Sequence, residues 1–208
     1  MVNRNPSGPF TTSTLQQTAS SRLGFGASRT MQIAQKLYQG IEIDGETIGL
    51  ITYMRTDGTN LSTDAIDTFR KYIKNEFGDE YVPDNAASYS GKKAKNAQEA
   101  HEAIRPTDIM RAPGTVKKYL SPDQHKLYDL IWSRALSSQM KPAQFDRNTI
   151  TITSGDNETI CKASGSVIKF DGFLKVMKDT KKDDDEDILP EMNKGPVNIE
   201  ALLDEQHF

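Results

Sequence analysis

The chain is expected to fold as an α+β protein of more than one domain, with a mainly helical portion followed by a small antiparallel β-sheet. Three observations predict this. Apolar residues recur at helical spacing in successive stretches before residue 141. Short runs rich in β-branched and aromatic residues follow Pro142. Glycine, aspartate and asparagine separate those runs, as turn residues do in a meandering sheet. Length alone, 208 residues against about 100–200 per domain, allows one domain or two. The change of pattern at Pro142 sets the expected organisation: a linker or the end of the β-rich segment over 1–12, a mainly helical domain over 13–141 and the β-rich segment over 142–208.

Each element has a local reason. Residues 1–12 hold Pro6, Gly8 and Pro9 without periodicity and read as a linker. Thr12 or Ser13 caps a helix with Leu15, Ala19 and Leu23 on one face, closed by Gly24 and Gly26. Ser28 caps a second helix, with Met31, Ala34, Leu37 and Tyr38 as its apolar positions and Gly40 as its end; the pair resembles a helix-turn-helix. Residues 41–50 read as a hairpin turning at Asp44-Gly45, a dipeptide that accepts the positive φ angles of a tight turn. Ser62 caps a helix whose stripe is Ala65, Ile66, Phe69, Tyr72, Ile73 and Phe77, stopped by Gly78. Residues 79–95 read as a long polar loop and 99–104 as a short helical turn ended by Pro106. Ser121-Pro122 opens a helix with Leu127, Leu130, Ile131, Trp132, Leu136 and Met140 on its core face. Beyond Pro142, NTITIT, TICKAS, SVIKF, FLKVM and VNIEALL read as strands. Cys161 in TICKAS reads as a buried, inert thiol, and the acidic run 183–187 as a solvated loop rather than a metal site.

Hydrophobic residues make up 36% of the chain and charged ones 26%, and the mean hydropathy is -0.63, values of a globular protein with a polar surface. No stretch approaches the roughly 20 apolar residues that cross a bilayer, and residues 1–8 lack a signal-peptide core; a cytoplasmic protein is expected. A net charge of -3 and a pI near 5.7 argue against a general polyanion binder, which needs excess lysine and arginine to displace counterions. Charge is unevenly placed, however. Acid concentrates in 179–191, while Lys92, Lys93 and Lys95 precede Arg105 and leave room for a local basic surface.

Two stretches carry groups suited to chemistry. In LITYMRTDGTNLS, residues 50–62, Tyr53 and Arg55 lie two apart. On a strand they would share a face about 6–7 Å apart, so that a phosphate touching the phenol oxygen could also be held by the guanidinium. A tyrosine of ordinary pKa near 10 needs such help to act as a nucleophile. The same spacing also describes an ordinary half-buried strand. In QEAHEAIRPT, residues 98–107, His101 and Arg105 stand four apart and on a helix would face one phosphate together; a packing or capping histidine fits this pattern too. The sequence shows no Cys/His set at zinc spacing and no phosphate-cradling glycine loop.

Taken together the motifs are more specific. PFTTSTLQQTASSRLGFGASRTMQIAQKLY, GLITYMRTDGTNLS, AQEAHEAIRPT, KLYDLIW, KFDGFLKVM and ILPEMNKG stand in the order found in bacterial DNA topoisomerase I, and the chain resembles that type IA family over nearly its whole length. The resemblance implies that Tyr53 attacks a phosphodiester of single-stranded DNA to leave a 5'-phosphotyrosine link, that Arg55 positions the scissile phosphate and that His101 contacts DNA. Thr52, Asp57, Arg105, Lys92 and Lys93 are expected in supporting DNA contacts. It also implies Mg2+ held by a Toprim domain with no counterpart in these motifs, so the chain reads as a central piece whose partners are DNA and the remaining domains. The helical portion would carry the tyrosine, and the β-rich segment would belong to a hinge-like arch with an exposed sheet edge open to self-association. A nucleoid location in a bacterial cytoplasm follows. Where the motif commonly has serine after the aspartate, this chain has Gly58, which is expected to loosen the turn. A non-catalytic gate or single-stranded DNA-binding module is the alternative. A tyrosine recombinase fits poorly, because its His-x-x-Arg spacing is His-x-x-x-Arg here.

Overall fold

The computed structural model describes residues 1–89, 101–154, 160–177 and Gly195. Its elements run β1 (Val2–Arg4), α1 (Thr12–Leu23), α2 (Ala27–Gln39), β2 (Ile41–Ile43), β3 (Glu46–Ile48), α3 (Thr63–Phe77), α4 (Pro113–Val116), α5 (Pro122–Ser137), β4 (Ala143–Thr153) and β5 (Ile160–Phe170), with 3-10 turns at Asp79–Tyr81, Lys117–Tyr119 and Gly172–Lys175. Helices and a small antiparallel sheet of order β1-β4-β5 are both present, as an α+β chain requires.

The caps explain where the helices begin. Thr11 forms a reciprocal capping box with Thr14 at the start of α1, and Ser121 forms one with Gln124 at the start of α5; each satisfies two donors that a helix start leaves unpaired. Ser62 caps α3 through the Ala65 N–H. The start of α2 differs from expectation: its cap is Gly26, without a side-chain bond, and Ser28 lies inside the helix. Asp44 and Gly45 turn the β2–β3 hairpin with φ of 51° and 89°, the left-handed geometry that dipeptide tolerates. Helices α1, α2 and α5 pack on one another around Leu15, Ala34, Leu37, Leu127 and Ile131. The indole N–H of Trp132 donates to Ile109 O at 3.0 Å and the Tyr128 hydroxyl to Arg111 O at 2.7 Å, which ties the segment before α4 to α5.

Several local expectations are corrected. The first twelve residues are structured: Val2–Arg4 pair antiparallel with β4, and Phe10 is buried at 1% exposure with the Arg134 guanidinium 4.9 Å above its ring. Residues 79–89 are docked rather than loose, since the Tyr89 hydroxyl donates to Ser138 O at 3.0 Å and Gln139 exchanges hydrogen bonds with Ala87. The described part of TICKAS, from Ile160, and SVIKF fuse into one strand, β5, through Gly165. The run FLKVM is mostly a 3-10 turn, not a strand: it starts at Gly172, φ 49°, which ends the ladder by folding against the carbonyls of Lys141 and Pro142. Cys161 is exposed, because among the described residues nothing covers the β4–β5 ribbon where it lies. β5 is the last strand of the sheet among the described residues. Lys92, Lys93, the acidic run 183–187 and VNIEALL lie outside the described residues.

A Cβ at Gly172 would sit 2.5 Å from Pro142 O and 2.6 Å from Lys141 O. Gly172→Ala is therefore expected to destabilise the chain by about 1–3 kcal/mol in urea denaturation. Gly114→Ala, where a Cβ meets nothing within 4 Å, is expected to be neutral or slightly stabilising.

Candidate active site

The segment that follows β3 leaves regular structure as soon as it leaves the core. Leu50, Ile51 and Met54 are buried, whereas Tyr53 is 48% exposed and Arg55 and Asp57 are exposed. The expected strand is not formed: the backbone bends at Thr52, Met54 and Arg55, and Ile51 keeps only a single bridge, to Pro106. Exposure still alternates along 53–57, with Met54 and Thr56 turned inward, so the loop buries its apolar and hydroxyl groups and displays the phenol, guanidinium and carboxylate.

What replaces a strand ladder is a set of bonds to two distant stretches. Residues 101–107 run extended alongside the loop, bridging Phe10, Asn60 and Ile51. The expected helical turn over 99–104 is therefore absent from its described part. Pro106 disfavours helical geometry at the residue before it, and the extended strip satisfies backbone groups that the bent loop leaves open. Thr52 is the centre of this contact. Its N–H donates to Arg105 O at 2.9 Å, its hydroxyl donates to Ala103 O at 2.7 Å, and that oxygen accepts the Arg105 N–H at 3.0 Å. Thr107 N–H donates to Leu50 O at 3.0 Å and Ala103 N–H to Asn60 O at 2.9 Å. On the other side, the Thr12 hydroxyl donates to Met54 O at 2.8 Å and accepts the Thr56 N–H at 2.8 Å.

Gly58 completes the approach. A Cβ there would lie 1.7 Å from His101 O, so the missing side chain does not loosen the turn; it admits the His101 carbonyl and brings the histidine's backbone against the tyrosine loop. Arg105 behaves differently from expectation. Its side chain is 14% exposed, its Nε and one terminal nitrogen donate to the Glu102 carboxylate at 2.6 and 3.0 Å, and its other terminal nitrogen donates to Pro106 O at 2.9 Å. With the segment extended, His101 and Arg105 share no helical face. Thr52 likewise spends its hydroxyl within the protein. Tyr53, Arg55 and Asp57 remain the outward groups of the loop. Arg55 lines a groove with Gln32, Lys36 and Gln39 of α2, and the Tyr53 ring meets Tyr38 of the same helix edge-on at 5.4 Å.

Sequence reasoning missed Thr12, Tyr38 and Glu102. Glu102 sits one residue from His101 and could have been noticed as a charge able to pair with Arg105 three residues on. Burial opposes its ionisation, but the hydrogen bonds from Arg105 and from the Ser62 N–H outweigh that and hold its carboxyl below the usual range. Among the described residues no group of three or more His, Cys, Asp or Glu is placed to hold a metal ion.

Against known proteins, residues 1–207 match the DNA topoisomerase family. The chain belongs to the bacterial, type IA DNA topoisomerase family. DNA topoisomerase 1 of Rickettsia felis is 48% identical over 99% of this chain and 27% of its own length. That of Salmonella typhimurium is 47% identical over 100% of this chain and 22% of its own length. The fold agrees as well: the full-length topoisomerase I structure from Thermotoga maritima superposes with a TM-score of 0.73 at 41% identity, covering 94% of this chain and 29% of that one. The topoisomerase chain thus spans about a quarter of the length of the curated relatives it matches.

The Glu102 carboxyl titrates lower folded than unfolded, so its contribution to stability is present above the ordinary carboxylate pKa of about 4.3 and is lost as pH falls through the depressed folded value. Denaturation from pH 7 down to pH 3 is expected to show a shallower acid loss of stability in Glu102→Gln than in the unaltered chain.

Proposed function

We propose that Tyr53 is the nucleophile of a DNA strand-cleavage and rejoining reaction and that Arg55 holds the phosphate it attacks. The observation that carries this reading is the loop itself: in a chain of the topoisomerase family, the one tyrosine of the TYMRTD motif is held outward beside an arginine that is exposed and, among the described residues, is not committed to a carboxylate. The Tyr53 phenol oxygen forms a bond to phosphorus, the bond from phosphorus to the 3'-oxygen breaks, and the phenol's proton is balanced by one gained at the departing 3'-hydroxyl. The products are a 5'-phosphotyrosine link and a free 3'-end. Attack of that hydroxyl on the same phosphorus reverses each change, so the strand is resealed without an external energy source. Passage of another strand between the two steps would relax negative supercoils.

The chain's own residues have distinct parts in this scheme. Arg55 offers a planar donor fork to the phosphate oxygens, where charge gathers as phosphorus becomes crowded. His101, set against Gly58, adds a contact to the DNA near the same loop. Asp57 is a supporting group at the outward edge, and Lys92 and Lys93 add positive charge from the preceding segment. Thr52 and Arg105 act indirectly, by fixing the loop rather than by reaching DNA. Magnesium, which the family implies, finds no fitting ligand set among the described residues. The substrate is single-stranded DNA in the bacterial cytoplasm, and the further domains of the relatives are the expected partners. Self-association through the β5 edge follows if that edge stays uncovered.

A second reading keeps the same outward Arg55 and Asp57 but no covalent step: a gate module that grips single-stranded DNA without chemistry.

The test mixes the chain with separately prepared flanking domains of the family, magnesium and 3'-end-labelled single-stranded DNA, and asks for label on protein after denaturation. A 3' label is required because the predicted link retains the downstream fragment. Label is expected with the complete mixture and is expected to vanish in Tyr53→Phe. Binding that weakens with salt, but leaves no adduct when the domains are shown to associate, would overturn the catalytic reading in favour of the gate module.

A further inference from the structure

Tyr38 lies at the end of α2 and is 40% exposed, an odd placement for an aromatic ring outside the buried core. Its ring stands against Tyr53, centroid to centroid 5.4 Å, at an interplanar angle of 65°, the edge-to-face arrangement that aromatic quadrupoles favour. We infer that Tyr38 is a positioning residue for the Tyr53 phenol, an inference that rests on Tyr53 being the nucleophile.

The backbones on which the two rings stand are fixed to each other independently of the ring contact. Leu50 N–H donates to Leu37 O at 2.8 Å, joining the end of α2 to the start of the tyrosine loop. Gly49 lies so close to α2 that a Cβ would meet Tyr38 O at 2.7 Å. Gly40, with φ 128°, turns the chain out of α2 where a Cβ would meet the Thr47 methyl at 2.4 Å. These contacts hold the two Cα positions close, so the side chain of Tyr38 forms a wall on one side of Tyr53. A half-exposed tyrosine on an open loop would otherwise sample several rotamers. A wall removes those that sweep across Tyr38 and leaves the phenol oxygen oriented before DNA arrives, which lowers the entropy still to be lost on the way to the transition state. The ring edge does this work, and the Tyr38 hydroxyl is not needed for it.

An exposed tyrosine can also stack a nucleobase, and the two roles separate experimentally. A base platform changes DNA affinity, whereas a positioning wall changes the rate once DNA is bound. The experiment measures single-turnover adduct formation at saturating DNA and the DNA dissociation constant, in the mixture of chain and flanking domains, for the unaltered chain, Tyr38→Ala and Tyr38→Phe. Aromatic proton–carbon NMR of Tyr53 is recorded in the chain alone. Thermal melting checks that the variants fold. In Tyr38→Ala the rate is expected to fall about three- to tenfold, the effect of one aromatic pair contact, with the dissociation constant unchanged and the Tyr53 ring resonances shifted. Tyr38→Phe is expected to restore the rate. An unchanged rate in Tyr38→Ala, a loss confined to the dissociation constant, unmoved Tyr53 resonances or failure of phenylalanine to rescue would each overturn the positioning role while leaving Tyr53 as nucleophile. Absence of adduct in the unaltered chain would instead overturn the reading of Tyr53, and this inference with it.

Discussion

The site depends on how a bent, irregular segment satisfies its backbone. Residues 50–60 pass through the edge of the core without a ladder of their own, yet Leu50, Ile51 and Met54 are buried, and peptide groups near a buried face must find partners. Thr52 supplies the central solution, with three hydrogen bonds to Ala103 and Arg105. Thr12 supplies the other, gripping Met54 and Thr56 from the first turn of α1. The extended strip 101–107 and the start of α1 therefore act as two jaws on the loop. Neither jaw is local in sequence, and each is itself anchored: Ile104 bonds to Phe10, and Phe10 is buried beneath Arg134.

This division of labour explains the charges. Arg105 and Arg55 both lie in the conspicuous motifs, but they are used in opposite ways. Arg105 is neutralised by a bidentate contact with Glu102, whose carboxylate also accepts the Ser62 N–H at the start of α3. That small network holds the strip, the loop's exit and a helix start together. Arg55 is left outward beside the polar face of α2, where its charge is available to an anion. A modest negative net charge is thus compatible with a local anion site, because what matters is which cations are already paired within the fold.

Much of the framework was legible in the residues because it rests on short-range rules. Ser62, Ser121-Pro122, Gly24, Gly78 and Asp44-Gly45 mark real starts, stops and turns, and the outward display of Tyr53, Arg55 and Asp57 follows the alternation of the motif. The failures share a cause, which is that long-range contacts override local pattern. Residues 101–104 carry good helix formers but are drawn out straight by bonds to Phe10, Thr52 and Asn60. FLKVM has strand composition, yet Gly172 folds it against Lys141 and Pro142. Cys161 follows a strand pattern that predicts burial only if something covers that face. Thr12 and Glu102 gave no signal beyond a helix start and an ordinary salt bridge, because their importance lies in partners 42 and 40 residues away.

Whether strip and loop form one hydrogen-bonded unit is decided by native-state amide exchange at Thr52, Thr56, Ala103 and Arg105, none of which lies in a helix or strand ladder. If the two jaws hold the loop, these amides are protected in the unaltered chain, and Thr52→Val releases Thr52, Ala103 and Arg105 together while the amides of α5 stay protected. Exchange of Thr52 and Arg105 at the rate of a free peptide in the unaltered chain would mean that the strip does not hold the loop.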